Sequence, residues 1–286
     1  MLKKSIALFI LSYALLFSHS SAQQNENQKD NLERPFVLGK IFELKSDVLG
    51  EKRIINVYLP DGYNPSDTIH YPVIYLLDGS ADEDFIHIAG LMQFCNFPWV
   101  KTMPPSILIG IANVDRKRDF TYPTRIEKDK KDFPTTGESA KFISFIEKEL
   151  QPFVGTHLKT NSDKTIIGQS LGGLLATEIL FKKPDLFNRY IIVSPSLWWD
   201  SESLLSLPLY PGTVSPEVKK QIYIAVGNEG EIMVSDAKKL VEKLSSPENK
   251  NMEVSYEYMG NEDHASILHE AVYRAFIKLY TKKENK

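Results

Sequence analysis

The segment Gly168-Gln169-Ser170-Leu171-Gly172-Gly173 sets a serine two residues from a glycine on either side. A serine hydroxyl is a weak nucleophile. It attacks a carbonyl only when a base takes its proton and hydrogen-bond donors receive the developing oxyanion. Taking Gly and Ser near about 7% each, the bare pattern G-x-S-x-G arises by accident in roughly one chain in ten of this length. Its surroundings are more restrictive. Thr165-Ile166-Ile167 has the β-branched character of a strand, and Leu171 onward reads as a helix, so Ser170 is expected at the apex of a sharp strand-to-helix turn, a nucleophile elbow. Gly168 and Gly172 would relieve crowding there, Gly173 would let the helix pack closely, and the helix N-terminus would favour negative charge beside the serine. The plain alternative is a glycine-rich connector. A phosphate-cradling loop lacks its lysine, and the dinucleotide fingerprint is absent.

With such an elbow the acid and then the base follow the serine in chain order. Only His264 and His269 lie in the final segment. His264 falls in the loop before the last expected helix and is the expected base, whereas His269 lies within that helix as a surface or packing residue. The acid should follow the strand Ile222-Tyr223-Ile224-Ala225-Val226, where Glu229 is preferred over Glu231 because it lies nearer the strand end. Glu262 and Asp263 read as turn residues, with a role as substitute acid left open. For the oxyanion, one N–H is expected from Leu171 and a second from Gly79 or Ser80, in the turn Asp78-Gly79-Ser80-Ala81. Trp198 and Trp199 follow a strand end, where they could form an aromatic wall or simply pack under a loop. Arg116, Lys117 and Arg118 make a cationic cluster able to attract an anionic substrate, against the plainer reading of an Arg118–Asp119 pair with solvated neighbours. Cys95, the only cysteine, sits in an apolar stretch and reads as a buried small hydrophobe.

The elements needed to position these residues are legible. Residues 36–45 and 53–59 alternate apolar with polar side chains, as half-buried antiparallel strands do. Near-continuous apolar runs at 72–77, 106–112, 165–168, 190–193 and 221–226 fit parallel strands covered on both faces, and 252–258 is a last strand. Helical patterns occupy 140–153, 171–181, 234–244 and 265–279. The fold class is therefore α/β: a mainly parallel sheet with antiparallel N-terminal strands and helices on both faces, its chemistry expected beyond the carboxyl ends of the strands.

The chain has 286 residues, 42% of them hydrophobic, with a formal net charge of -3. That supports a full core and argues against a nucleic-acid partner. Lys3 and Lys4 precede an apolar run from Ile6 to Phe17 and the small residues Ser18, Ser20, Ser21 and Ala22. The run is too short to span a bilayer of roughly 30 Å, so residues 1–22 are expected to be a signal peptide cleaved after Ala22. Export to the periplasm or the medium would follow, with no membrane association afterwards. Residues 23–34 read as a flexible linker and 35–286 as one domain. Nothing in the sequence sets an oligomeric state.

Tyr75-Leu76-Leu77-Asp78-Gly79, Arg118-Asp119-Phe120-Thr121, Gly168 to Gly173, Ser194-Pro195-Ser196-Leu197-Trp198-Trp199 and Asp263-His264 together resemble the putative esterase family of α/β-hydrolases. The likeness covers roughly residues 43–280. That family includes S-formylglutathione hydrolases, feruloyl and acetylxylan esterases, mycolyltransferases and siderophore esterases. The chain looks most like the exported bacterial branch similar to catecholate-siderophore esterases. It departs from the family pattern at Thr121-Tyr122-Pro123, where the Arg-Asp segment usually runs into Thr-Pro, and the acid position varies among siderophore-type relatives. The resemblance implies a cofactor-free, metal-independent serine esterase acting on a small-molecule ester. Its rivals are a feruloyl or acetyl carbohydrate esterase, a peptidase, thioesterase or acyltransferase on the same fold, and a catalytically silent ligand-binding module.

Overall fold

The computed structural model describes residues 34–209 and 219–281. The chain divides into two units, residues 1–37 and 38–286. The expected signal peptide lies outside the described residues, as does the expected linker except for Arg34.

The second unit is built on an eight-stranded sheet in the order β1-β2-β4-β3-β5-β6-β7-β8. Its strands are β1 Lys40–Ser46, β2 Glu51–Tyr58, β3 Tyr71–Leu76, β4 Ile107–Ile111, β5 Thr160–Gln169, β6 Arg189–Val193, β7 Lys220–Gly227 and β8 Met252–Met259. β1 pairs antiparallel with β2, and β2 antiparallel with β4; every other neighbouring pair is parallel. The first strand is shorter than the expected 36–45, because Phe36 and Val37 are solvent-exposed and precede any pairing.

The helices are α1 Phe85–Asn96, α2 Arg116–Phe120, α3 Glu127–Asp132, α4 Ser139–Phe145, α5 Gln151–His157, α6 Leu171–Lys182, α7 Ser203–Ser206, α8 Glu231–Leu244 and α9 Ile267–Tyr280. Alternation along each central strand divides the core in two. In β3, Val73 and Tyr75 join the cluster under α4 to α6 and α8, while Ile74 and Leu76 join the cluster under α1 and α9. Both faces of the strands are thus dry, which is why they read as unbroken apolar runs. No helix among the described residues is long and apolar enough to cross a membrane.

Two helical features depart from expectation. α1 has no counterpart in the pattern: its sequence FIHIAGLMQFCN is apolar on nearly every side, so no stripe marks it. Cys95 lies on it, fully buried, and burial pushes its thiol up to about 11. The expected helix 140–153 is α4 continued through a π turn, Ile146–Leu150, into α5. Pro152 falls in the first turn of α5, and Glu149 of the π turn accepts the N–H groups of Asp47 and Val48 at 3.0 Å each, pinning the β1–β2 turn.

Candidate active site

The parallel strands end on one edge, and the loops leaving that edge carry the candidate residues. β5 passes directly into α6, and Ser170 between them has φ 58° and ψ -119°, a backbone that costs free energy for any residue with a Cβ. Gly168 makes the bend possible: a Cβ there would sit 2.3 Å from the Gly172 carbonyl oxygen. The strain is held by Ser170 N–H donating to Val193 O at 3.0 Å and by Ser196 N–H donating to Ser170 O at 3.0 Å. Leu171 is the first residue of α6, so its N–H has no intrahelical acceptor and stays available beside the serine.

The loops after β7 and β8 bring an acid to a base. Glu229 Oε2 lies 2.5 Å from His264 Nδ1. The other oxygen, Oε1, accepts the Gly227 N–H at 2.9 Å and the Ser194 hydroxyl. Burial pushes the Glu229 carboxyl up, but the hydrogen bonds from His264, Ser194 and Gly227 outweigh it and hold the group below the ordinary glutamate value. Glu231 does not share this environment. It opens α8 as an exposed residue and makes no hydrogen bond to His264 among the described residues. Asp263 organises the turn, accepting from Ala265 N–H at 2.9 Å and Ser266 N–H at 3.0 Å, and Glu262 O accepts from Asn228 N–H at 2.7 Å. His269 is exposed on α9, its ring 5.9 Å from that of His87.

Ser170 and His264 face one another across two adjoining openings. The first, of about 510 Å³, is lined by both residues together with Ser196, Trp198, Asn228, Glu229 and Met233 among others. The second, of about 420 Å³, is lined by both together with Asp78, Glu83, Asp84, Arg116 and Gln169 among others. The Ser170 hydroxyl pairs with Ser196 Oγ at 3.3 Å and makes no hydrogen bond to His264 among the described residues. Rotation about χ1 alone re-aims a hydroxyl, and catalytic hydrogen bonds commonly tighten only around substrate.

Three expectations are corrected. Gly79 cannot supply an oxyanion donor, because its N–H is committed to Ile111 O at 3.0 Å and its carbonyl accepts from Asn56 Nδ2 at 2.8 Å. The glycine is there for packing: a Cβ would lie 2.4 Å from the Gly110 Cα in β4. The Ser80 N–H makes no backbone bond among the described residues. Trp199 is fully buried, with its indole N–H donated to Tyr122 O at 2.9 Å, so it belongs to the core; Trp198 alone lines the cleft. Arg118 also serves structure. It binds Glu51 at 2.6 Å and Asp119 at 2.9 Å, beside the buried Arg53, and does not line either opening.

The cationic cluster contributes Arg116 instead. Its guanidinium holds both Asp78 oxygens, at 2.6 and 2.9 Å, and reaches Gln169 O at 3.3 Å. Around it Glu83 and Asp84 make that wall acidic. Burial, with the like charges of Asp78 and Glu83, pushes the Asp84 carboxyl up to about 6 against the pull of Arg116. Sequence reasoning gave no role to Ser194 and Ser196. Their signal was positional, since they leave the end of β6 beside the elbow that leaves β5. Among the described residues no group of three or more His, Cys, Asp or Glu side chains is placed to hold a metal ion.

A mainly parallel sheet with antiparallel first strands and a strained serine at the end of a central strand is an α/β-hydrolase. The profile of the Putative esterase family matches residues 46–277, and the chain belongs to that family. It is 29% identical over 245 residues, 79% of this chain and 84% of the relative, to the ferri-bacillibactin esterase BesA of Bacillus subtilis. Among solved structures, an IroE-like serine hydrolase from Shewanella oneidensis is 32% identical with a TM-score of 0.76, covering 85% of this chain and 80% of that one. The BES protein from Bacillus cereus is 25% identical with a TM-score of 0.73, covering 87% and 97%. The protein is a carboxylic ester hydrolase of this family.

Proposed function

We propose that the protein is an exported serine esterase that cleaves small-molecule esters through an acyl-enzyme on Ser170, with catecholate siderophore esters as its substrates. The observation that carries this reading is the hydrogen-bonded chain Ser194–Glu229–His264, which ends in an imidazole facing Ser170 across the cleft. His264 Nε2 takes the Ser170 proton as Oγ attacks the ester carbonyl, and Glu229 fixes the ring and steadies the imidazolium. The N–H groups of Leu171 and Ser80 receive the oxyanion. His264 then gives its proton to the departing alkoxide. A water molecule, deprotonated by the same imidazole, releases the acid and restores the serine.

Relatives named as esterases of ferri-bacillibactin and of enterobactin support the substrate class. So does Trp198, a flat apolar face beside the nucleophile able to hold an aryl group. The acidic wall at Glu83 and Asp84 makes attraction by charge a poor account of selection, which leaves aromatic stacking as the stronger term. Hydrolysis of linear and cyclic catecholate esters, feruloyl and acetyl sugars, thioesters and peptide anilides should be compared by kcat/KM. Catecholate esters are expected to lead. Preference for a sugar ester or a thioester would overturn the substrate assignment. Export is tested separately by N-terminal sequencing of the mature protein, which should begin at Gln23.

A further inference from the structure

We infer that Gln169, the residue before the nucleophile, is a positioning residue that ties the base-bearing loop to the elbow, resting on the assignment of Ser170 and His264 proposed above. Gln169 Nε2 donates to the His264 backbone oxygen at 2.5 Å. A carbonyl only accepts, so the carboxamide must present its NH2 there. Among the described residues this is the one hydrogen bond between residues 260–266 and the elbow. The remaining bonds of that loop are internal, return to β8 or α9, or run to Glu229 and Asn228 on the β7 loop.

The main chain of Gln169 is anchored as well. Its amide plane is set by β5–β6 pairing with Val193, and its carbonyl accepts from Arg116 Nη2 at 3.3 Å. Arg116 is itself fixed on Asp78 by two hydrogen bonds, at 2.6 and 2.9 Å. One residue therefore joins the loop after β3, which carries Ser80, to the loop after β8, which carries the base. The need for such a tether follows from exposure: the His264 side chain is 48% exposed, so packing does little to hold it. A misplacement of about 1 Å between nucleophile and base can cost about 100-fold in rate.

Gln169→Glu keeps the size but removes the donor and sets a carboxylate against the His264 carbonyl. Gln169→Met removes the donor without adding charge and serves as the second variant. Both should lower kcat for a p-nitrophenyl ester about tenfold or more, with KM within about twofold and the thermal midpoint essentially kept. The low-field proton resonance of the His264–Glu229 hydrogen bond should weaken or broaden in both. In a His264→Ala background neither substitution should lower the rate further, because the tether acts only through that histidine. Wild-type kcat in both variants would overturn the inference, as would an equal loss in the His264→Ala background or a rate loss that merely tracks loss of folded protein. Ser170→Ala is measured alongside. If it keeps wild-type turnover, the nucleophile assignment fails; if it is inactive while both Gln169 variants are normal, only the tether fails.

Discussion

The two walls of the cleft handle carboxylates in opposite ways. On the wall formed after β6, β7 and β8, Glu229 is 3% exposed yet accepts from Ser194, Gly227 and His264, and its carboxyl is held below the usual value. On the wall formed after β3 and β4, the Asp84 carboxylate has no hydrogen bond among the described residues, only His87 Nε2 at 3.7 Å. It lies near Asp78, held by Arg116 and Asn113, and Glu83, held by Asn113, and the carboxyl rises to about 6. Burial opposes ionisation in both. What differs is the number of donors aimed at each group. Titratable groups are driven apart by their surroundings: on the proposed mechanism one wall serves proton chemistry, and the other is an acidic rim.

The sharpest way to break this comparison is to remove the charge that faces the base. Glu229→Gln should lower kcat by about 10³-fold or more, since the imidazole loses its orienting acceptor, whereas Glu231→Gln should stay within about twofold. Equal effects in ester hydrolysis assays would erase the distinction between the two glutamates. Ser194→Ala removes one of the donors on Glu229 and should cost about tenfold in kcat, read from full Michaelis curves. Trp198→Ala should raise KM several-fold for aryl esters while sparing acetyl esters. Unchanged KM for aryl esters would take the tryptophan out of recognition.

The smallest effect concerns stability. The Asp84 carboxyl sits higher in the folded protein, at about 6, than the ordinary value of 3.8. Its contribution is therefore intact below pH 3.8 and is lost as pH rises towards 6. Asp84→Asn should stabilise the fold at pH 7 by about 1 kcal/mol, after allowing for the partial exposure of the group, with no gain near pH 4. Glu229 runs the other way: its contribution is present above the ordinary glutamate value and disappears as pH falls through its lowered folded value. Thermal melts of Asp84→Asn and Glu229→Gln from about pH 3 to about pH 8 would show the opposite slopes, with the Glu229 effect confined to the acid end.

Much of this was readable in the sequence because short-range chemistry dictates it. The β-branched run before Gly168 and the apolar run after Leu171 specify a strand-to-helix turn, and only the histidine placed after the last strand suited the base. The choice of Glu229 over Glu231 could be argued from the strand end alone, but the Ser194 hydroxyl that also holds its carboxylate comes from 35 residues away in sequence. Gly79 misled for a physical reason. A glycine in a turn signals either a free amide or a close approach, and only the position of Gly110 in β4 decides between them. Trp199 and Arg118 misled similarly, since a strand-end tryptophan and an arginine in a basic run take their roles from Tyr122, Glu51 and Asp119. α1 escaped notice because its exposed face carries Ile86 and Phe94, which blurs the stripe made by its buried residues.

The central claim is that Ser170 is the nucleophile and that His264, held by Glu229, activates it. Labelling with a fluorophosphonate, followed by peptide mass spectrometry, tests it most directly. The adduct should form on Ser170 in the wild-type protein, be absent in Ser170→Ala, and form at least about 100-fold more slowly in His264→Ala. An adduct on another residue, or labelling of Ser170 at the wild-type rate without His264, would contradict it.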